Sequence, residues 1–368
     1  MDSLKTKPLT LTYISLITAG LLLLTSCATA SDEPAADLAL PSPTEEKMAA
    51  IEEEVSSQPG FAEALECPKS PIPESQLSLV NLSDYPDDEI INCFNFAVNK
   101  IADMRTDVMM IIYPVGPFLS GEVKDNDTDY RGAGFEPVIT ADQRDSMASS
   151  LESYLEPACG GEFATYQARQ VSRFAELGGG QQVAGAGGGS DECAKKRWMI
   201  LSIDPDRARP SRELVTTFFH EVFHTVQAGA GQPCNYSGAP AVDDQFWIHE
   251  AGASFFGYEM AAELADLDSA LVWGAHMRFV SDLLGNQEVG SELADPAIAE
   301  KGAIALRLLA ERGQLETSEV MDGSLYQNCG GQPEAFSPQN LQVAKDYWSD
   351  YSEVGAFDFR FSETALTQ

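Results

Sequence analysis

The stretch His220-Glu221-Val222-Phe223-His224 sets a carboxylate between two imidazoles. On an α-helix, residues four apart share a face, so both histidines can reach one metal ion with the glutamate beside it. The chemistry such a group offers is metal-assisted hydrolysis: zinc acidifies water and polarises a carbonyl, and Glu221 takes the proton. The chain has only four histidines among 368 residues. A chance His-Glu-x-x-His is then expected on the order of a few times in a thousand such chains. An ordinary buried helix accounts for one histidine bonded to backbone, but not for the pair or for the glutamate between them.

The neighbouring residues supply the helix that this spacing needs. Pro210 suits a first turn, Val215, Phe218, Phe219, Val222, Phe223 and Val226 recur at helical spacing, and Gly229 and Gly231 stop the run. Two histidines leave zinc one protein ligand short. A third histidine six residues after His224, with a glycine midway, would mark a metzincin, but those positions are Ala230 and Gln227. Downstream, Trp247-Ile248-His249-Glu250-Ala251-Gly252-Ala253-Ser254 offers Glu250 on a second helix that begins near Asp243 or Asp244. Successive helical residues point about 100° apart, so His249 and Glu250 do not face one metal together. Glu250 is the expected ligand and His249 a surface or cleft-rim residue. Ser254, one turn after Glu250, is placed either to hydrogen-bond a ligating imidazole or simply to ease helix packing.

Over roughly 198–315 the chain resembles the gluzincin metallopeptidases, in particular the aminopeptidase-like branch and its relatives with a peptidase-MA-like domain. Their pattern is His-Glu-x-x-His followed by a Trp-x-x-Glu-Gly-x-Ala helix whose glutamate is the third zinc ligand. Trp247, Glu250 and Ala253 fit it, with Ala251 in the usual glycine position. Glu300-Lys301-Gly302-Ala303-Ile304-Ala305-Leu306-Arg307 looks like the family's Tyr-Glu-Lys-Gly helix. The resemblance implies a zincin-like α+β fold: a small mixed sheet, an active-site helix and a mainly helical C-terminal half. It also implies that the strand shortly before the metal helix, here Met199–Ile203, lies along the cleft beside extended substrate. The family's oxyanion-binding tyrosine falls on Ala299, and Tyr258, His276, Tyr326 and Tyr347 are the other candidates for that donor. No Gly-x-Met-Glu-Asn segment precedes the motif, so endopeptidase, exopeptidase and amidase stay open.

The N-terminus places the site. Lys5 and Lys7 precede an apolar run from Leu9 to Leu24 that closes on Leu24-Thr25-Ser26-Cys27, similar to a bacterial lipobox. Residues 1–26 read as a lipoprotein signal peptide and Cys27 as the lipidated residue, an uncleaved transmembrane anchor being the alternative. Ala28 after the cysteine favours the outer membrane of a Gram-negative envelope. Setting Cys27 aside leaves six of seven cysteines, enough for three disulfides. The spacing does not choose among pairings. Cys67 with Cys93, Cys159 with Cys193 and Cys234 with Cys329 is the shortest set without nesting.

Residues 27–62, rich in Ala, Ser, Pro, Asp and Glu, read as an acidic disordered tether. A sheet-containing subdomain over 63–235, ending in the metal helix, and a helical subdomain over 236–368 are expected to follow. Val108–Tyr113 and Trp198–Ile203 are the candidate strands. Gly178 to Ser190 reads as a flexible surface loop, lacking the lysine and serine or threonine of a phosphate loop. Helices are expected over Ala251–Leu267, Leu271–Leu284, Pro296–Arg312 and Leu341–Tyr351. Removing residues 1–26 takes away two lysines and one aspartate, leaving 21 basic against 56 acidic residues and a net charge of −35. That charge excludes nucleic acid as a natural partner and fits solubility.

The expectation is therefore a zinc-dependent hydrolase of peptide bonds outside the cytoplasm, anchored to the membrane by lipid. Two other classes stay open: a metal-binding lipoprotein that uses the cleft to hold peptide or protein without cleaving it, and a structural envelope lipoprotein.

Overall fold

The computed structural model describes residues 67–71, 77–101, 107–118, 123–124, 131–132, 135–177, 182–186, 191–203, 211–227, 242–266, 269, 272–274, 277, 298–327, 333–355 and 358–368. The segments expected as signal peptide and tether, and Cys27, Cys234, His276, Cys329 and most of the expected helix over Leu271–Leu284, lie outside them.

The described residues form a mixed α+β structure, mostly helical, around a small mixed sheet. Its strands are β1 (Leu77–Asn81), β2 (Asp107–Phe118), β3 (Phe135–Pro137), β4 (Gln182–Ala186) and β5 (Lys196–Ile203). β2 lies between β1 and β5 and is parallel to both, in registers running from Leu77 opposite Val108 and from Asp107 opposite Lys196. β4 runs antiparallel along the outer side of β5, and β3 pairs with the far end of β2.

Near-continuous apolar runs suit β2 and β5, because central parallel strands bury both faces. Their alternation divides two cores. Val108, Met110, Ile112, Met199, Leu201 and Ile203 face one, shared with α1 (Asp87–Val98) and the helices of the site. Met109, Ile111, Tyr113, Trp198 and Ile200 face the other, covered by α2 (Ala141–Cys159) and α3 (Gly161–Glu176). α2 begins in a capping box made by Thr140 and Gln143 and ends at Gly160, whose φ of 83° lets the chain turn at once into α3.

Two disulfides staple this half. Cys67 pairs with Cys93 on α1, and Cys159 at the end of α2 pairs with Cys193 just ahead of β5. Both belong to the shortest unnested pairing set.

The longer of the remaining helices are α4 (Ser211–Gln227), α5 (Val242–Leu264), α6 (Ile298–Glu311) and α7 (Pro338–Tyr347). The helix expected to begin near Asp243 or Asp244 and the one expected from Ala251 are a single element, which carries Asp243, Glu250 and Leu264. The helix expected to reach Tyr351 stops at Tyr347. A short 3₁₀ turn follows, and Tyr351–Gly355 then pairs with Asp358–Phe361 in a hairpin. Among the described residues no helix is long and apolar enough to cross a membrane.

Two strand assignments need correction. Met199–Leu201 have a neighbour on each side, β2 and β4, so their backbone hydrogen bonds are used within the sheet and they cannot pair with an added chain, while Ser202 and Ile203 pair, among the described residues, with β2 alone. The outer strand on that side is β4, inside the segment read as a flexible loop. It is formed by pairing with β5, not by its own glycine-rich composition.

Glycines set how closely the helices approach. A Cβ on Gly257 of α5 would lie 2.5 Å from the Thr216 carbonyl oxygen of α4, and one on Gly302 of α6 would lie 2.8 Å from the Trp247 carbonyl oxygen of α5. Backbone cannot give way as a side-chain tip can. Gly257→Ala should therefore push α4 and α5 apart and cost about 1–3 kcal/mol, read as a lower midpoint in urea. An unchanged midpoint would contradict this close approach.

Candidate metal centre

The site lies where α4 crosses α5. Val215, Phe218, Phe219, Val222 and Phe223 bury one face of α4 in the core, which fixes the rotation of that helix and the direction of His220, Glu221 and His224. α5 is apolar around its circumference, with Trp247, Ile248, Ala251, Phe255, Phe256 and Met260 all buried, as befits a helix surrounded by others. Phe223 stacks on Phe256 at 4.7 Å between ring centres, tying the two helices beside the site.

His220, His224 and Glu250 come together as a buried group that could hold a metal ion. The two Nε2 atoms are 3.0 Å apart, and Glu250 Oε2 lies 3.5 Å from the one on His220 and 3.4 Å from the one on His224. The glutamate side chain is 1 % exposed and the imidazoles 11 % and 13 %. Glu250 Oε2 is enclosed and has no hydrogen-bond partner. A buried carboxylate oxygen without a donor is costly unless a cation or proton satisfies it. Glu221 is 2 % exposed, and its Oε1 is 4.0 Å from His220 Nε2, beside the trio and outside it.

The electrostatics follow from this crowding. Burial lowers the basicity of His224, but the Glu250 carboxylate, with Glu221 behind it, outweighs burial and lifts its pKa from 6.5 to about 9. Burial likewise works against the Glu250 carboxylate, and His224 and His220 overcome it, holding the pKa at about 2. His220 moves the other way, lowered by burial and by the charge on His224. Without metal the trio is thus an ion pair between His224 and Glu250 with a neutral His220.

The outer nitrogens are also held. His220 Nδ1 is 3.0 Å from Ser254 Oγ, one turn along α5 from Glu250. His224 Nδ1 is 2.7 Å from Gln227 Oε1, and Gln227 Nε2 donates to the His249 carbonyl at 2.7 Å. His249, expected at the surface or the cleft rim, is half-buried. Its Nε2 is enclosed, and burial, then the charge on His224, lowers its pKa to about 4.

The tyrosines proposed as oxyanion donors have other surroundings. Tyr326 is buried and donates to the Ile248 carbonyl at 3.2 Å, its ring edge-on to Phe223. Tyr258 is buried edge-on against Trp273, and the Tyr347 hydroxyl donates to Gln368 Oε1 at the surface. Ala299 sits in the first turn of α6, a helix brought against α5 through Gly302. Lys301 beside it is buried, with its Nζ 5.4 Å from the Trp348 ring centre.

Sequence reasoning missed two residues that position α4. Gln227 drew notice only as the absence of a metzincin glycine. Arg197 is fully buried in β5, where its Nε donates to the Thr225 carbonyl in the last turn of α4. A guanidinium there satisfies an exposed carbonyl and complements the negative end of the helix. Its signal was an arginine in second place in β5, followed by the apolar run Trp198–Leu201.

Compared with family models, with curated proteins and with solved structures, the chain matches none.

Proposed function

We propose that the chain is a zinc-dependent hydrolase of peptide bonds, of gluzincin type, working outside the cytoplasm. His220, His224 and Glu250 would hold the zinc. The observation that carries the reading is the spacing of the three donor atoms, 3.0, 3.4 and 3.5 Å. Nitrogen and oxygen ligands about 2.0–2.1 Å from a tetrahedral zinc stand about 3.3 Å from one another. The orphaned Oε2 of Glu250 and the donor set of two imidazoles and a carboxylate fit the same ion.

Zinc in such a site supplies an acidified water and a polarised carbonyl. Glu221 takes the proton from the attacking water and returns it to the leaving amine. Its burial keeps the carboxylate away from bulk solvent, and its place on α4 holds it next to the ligands without competing with them. Ser254 and Gln227 orient the imidazoles.

The outer strand β4 supports a peptide as substrate. It packs against α4, and among the described residues no strand pairs with its outer edge. An extended chain laid along that edge would gain main-chain hydrogen bonds beside the ligand group. Two disulfides support an oxidising compartment, as the lipobox-like Cys27 does.

A second reading, peptide binding without cleavage, is favoured by one observation. The oxyanion position is Ala299, and the Tyr326 hydroxyl is engaged by Ile248.

The first test is metal content. Purified protein should carry about one zinc per chain, and Glu250→Ala should weaken binding by more than about 100-fold, the upper range for loss of an outer partner. A fully folded protein that takes up no zinc, or a Glu250→Ala form that binds it equally well, would sink the reading. Cleavage of an unfolded protein that stops with a chelator and returns with zinc would separate hydrolysis from binding alone.

A further inference from the structure

We infer that Gln227 is the positioning residue that fixes which nitrogen of His224 faces the metal centre and keeps the two ligand helices in register. The inference rests on the metal reading above and adds a residue to it.

One amide group serves both roles. Gln227 is 1 % exposed and ends α4, three residues after His224. Its Nε2 lies 2.7 Å from the His249 carbonyl oxygen. A carbonyl can only accept, so the amide nitrogen must face it and the amide oxygen must face His224. That oxygen lies 2.7 Å from His224 Nδ1. An amide oxygen can only accept, so Nδ1 must carry a proton, and the lone pair of a neutral His224 is then confined to Nε2. This is the nitrogen 3.4 Å from Glu250 Oε2 and 3.0 Å from His220 Nε2. Ser254 cannot fix His220 as strictly, because a hydroxyl both donates and accepts.

The same amide spans the two helices. It joins the last turn of α4 to the carbonyl of the residue beside Glu250, so a slip of α5 against α4 would break it. Space for it comes from Gly252, where a Cβ would sit 2.8 Å from Gln227 Nε2 and 2.1 Å from the Tyr326 hydroxyl oxygen.

Zinc affinity by chelator competition, compared among the unaltered chain, Gln227→Met and Gln227→Glu, tests this. Methionine keeps the bulk and loses both hydrogen bonds, so affinity should fall about 10–100-fold. Glutamate keeps the acceptor for Nδ1–H but loses the bond to the His249 carbonyl, so it should bind more tightly than methionine and less tightly than the unaltered chain, a partial rescue that a packing role would not give. Methionine binding as well as glutamine, or glutamate as poor as methionine, would overturn the inference. A long-range ¹H–¹⁵N spectrum of the zinc-loaded unaltered chain needs no variant: His224 should carry its proton on Nδ1, and a proton on Nε2 would overturn the inference. If the unaltered chain binds no zinc, the metal reading fails and takes this one with it. Failure of the Gln227 role alone would leave zinc binding intact.

Discussion

Glu221→Gln should still take up about one zinc per chain at saturating metal and hydrolyse a peptide about 10²–10⁴-fold more slowly. The substitution keeps the size of the side chain and removes its basic oxygen. Glu221 Oε1 stands 4.0 Å from His220 Nε2, outside the group of three donor atoms, so no ligand is lost. The negative charge of Glu221 also helps raise the pKa of His224. An amide in its place makes His224 easier to deprotonate but also removes a charge that attracts a dication, so the zinc comparison is made at saturating metal. Initial rates on a fluorogenic peptide, taken with the zinc content of the same samples, check both halves. Equal rates in zinc-loaded Glu221→Gln would exclude Glu221 as the base. Zinc in both forms with cleavage in neither would favour the binding reading.

How much of this site was legible in sequence depends on how local the cause is. His220, Glu221 and His224 are fixed relative to one another by a single helical turn, so spacing alone places them on one face. Ser254 was legible for the same reason, one turn along from Glu250. Spacing did not choose among the cysteine pairings, and the two disulfides formed belong to the set with the shortest loops. Gln227 was not legible, because its role depends on a carbonyl of another helix, and no pattern within α4 marks it. β4 was hidden by composition: Gln182–Ala186 has one β-branched residue, Val183, between glycine runs, and pairing with β5 makes it a strand. His249 was placed at the surface or the cleft rim because successive residues of α5 point about 100° apart, which turns it away from the metal that Glu250 faces. That helix is buried on nearly every side, and the periodicity of an all-apolar helix does not say which polar residue points out.

The apparent affinity for zinc should rise about tenfold per pH unit between pH 7 and 9, about 100-fold in all, and level off above. Without metal, His224 is an imidazolium paired with Glu250, its pKa raised from 6.5 to about 9. An imidazole ligates only through a free lone pair, so uptake at neutral pH must expel a proton from its Nε2. His220, whose pKa is lowered from 6.5, and Glu250, held at about 2, have none to lose in that range. One proton per zinc is the slope. The metal-free fold responds in the opposite sense. A raised His224 pKa stabilises it fully below pH 6.5, and that contribution is lost as pH rises through about 9. The lowered Glu250 pKa stabilises it above pH 4.5, and this is lost as pH falls through about 2. Between pH 4.5 and 6.5 both contributions are present in full, and the ion pair adds to the packing that holds the two helices together. Chelator competition across pH 7–9, with calorimetry in two buffers of different ionisation heat to count the protons released, makes the test. Affinity that stays flat over this range, or uptake without proton release, would show that His224 and Glu250 are not paired in the metal-free protein and that the trio reaches the metal by another arrangement.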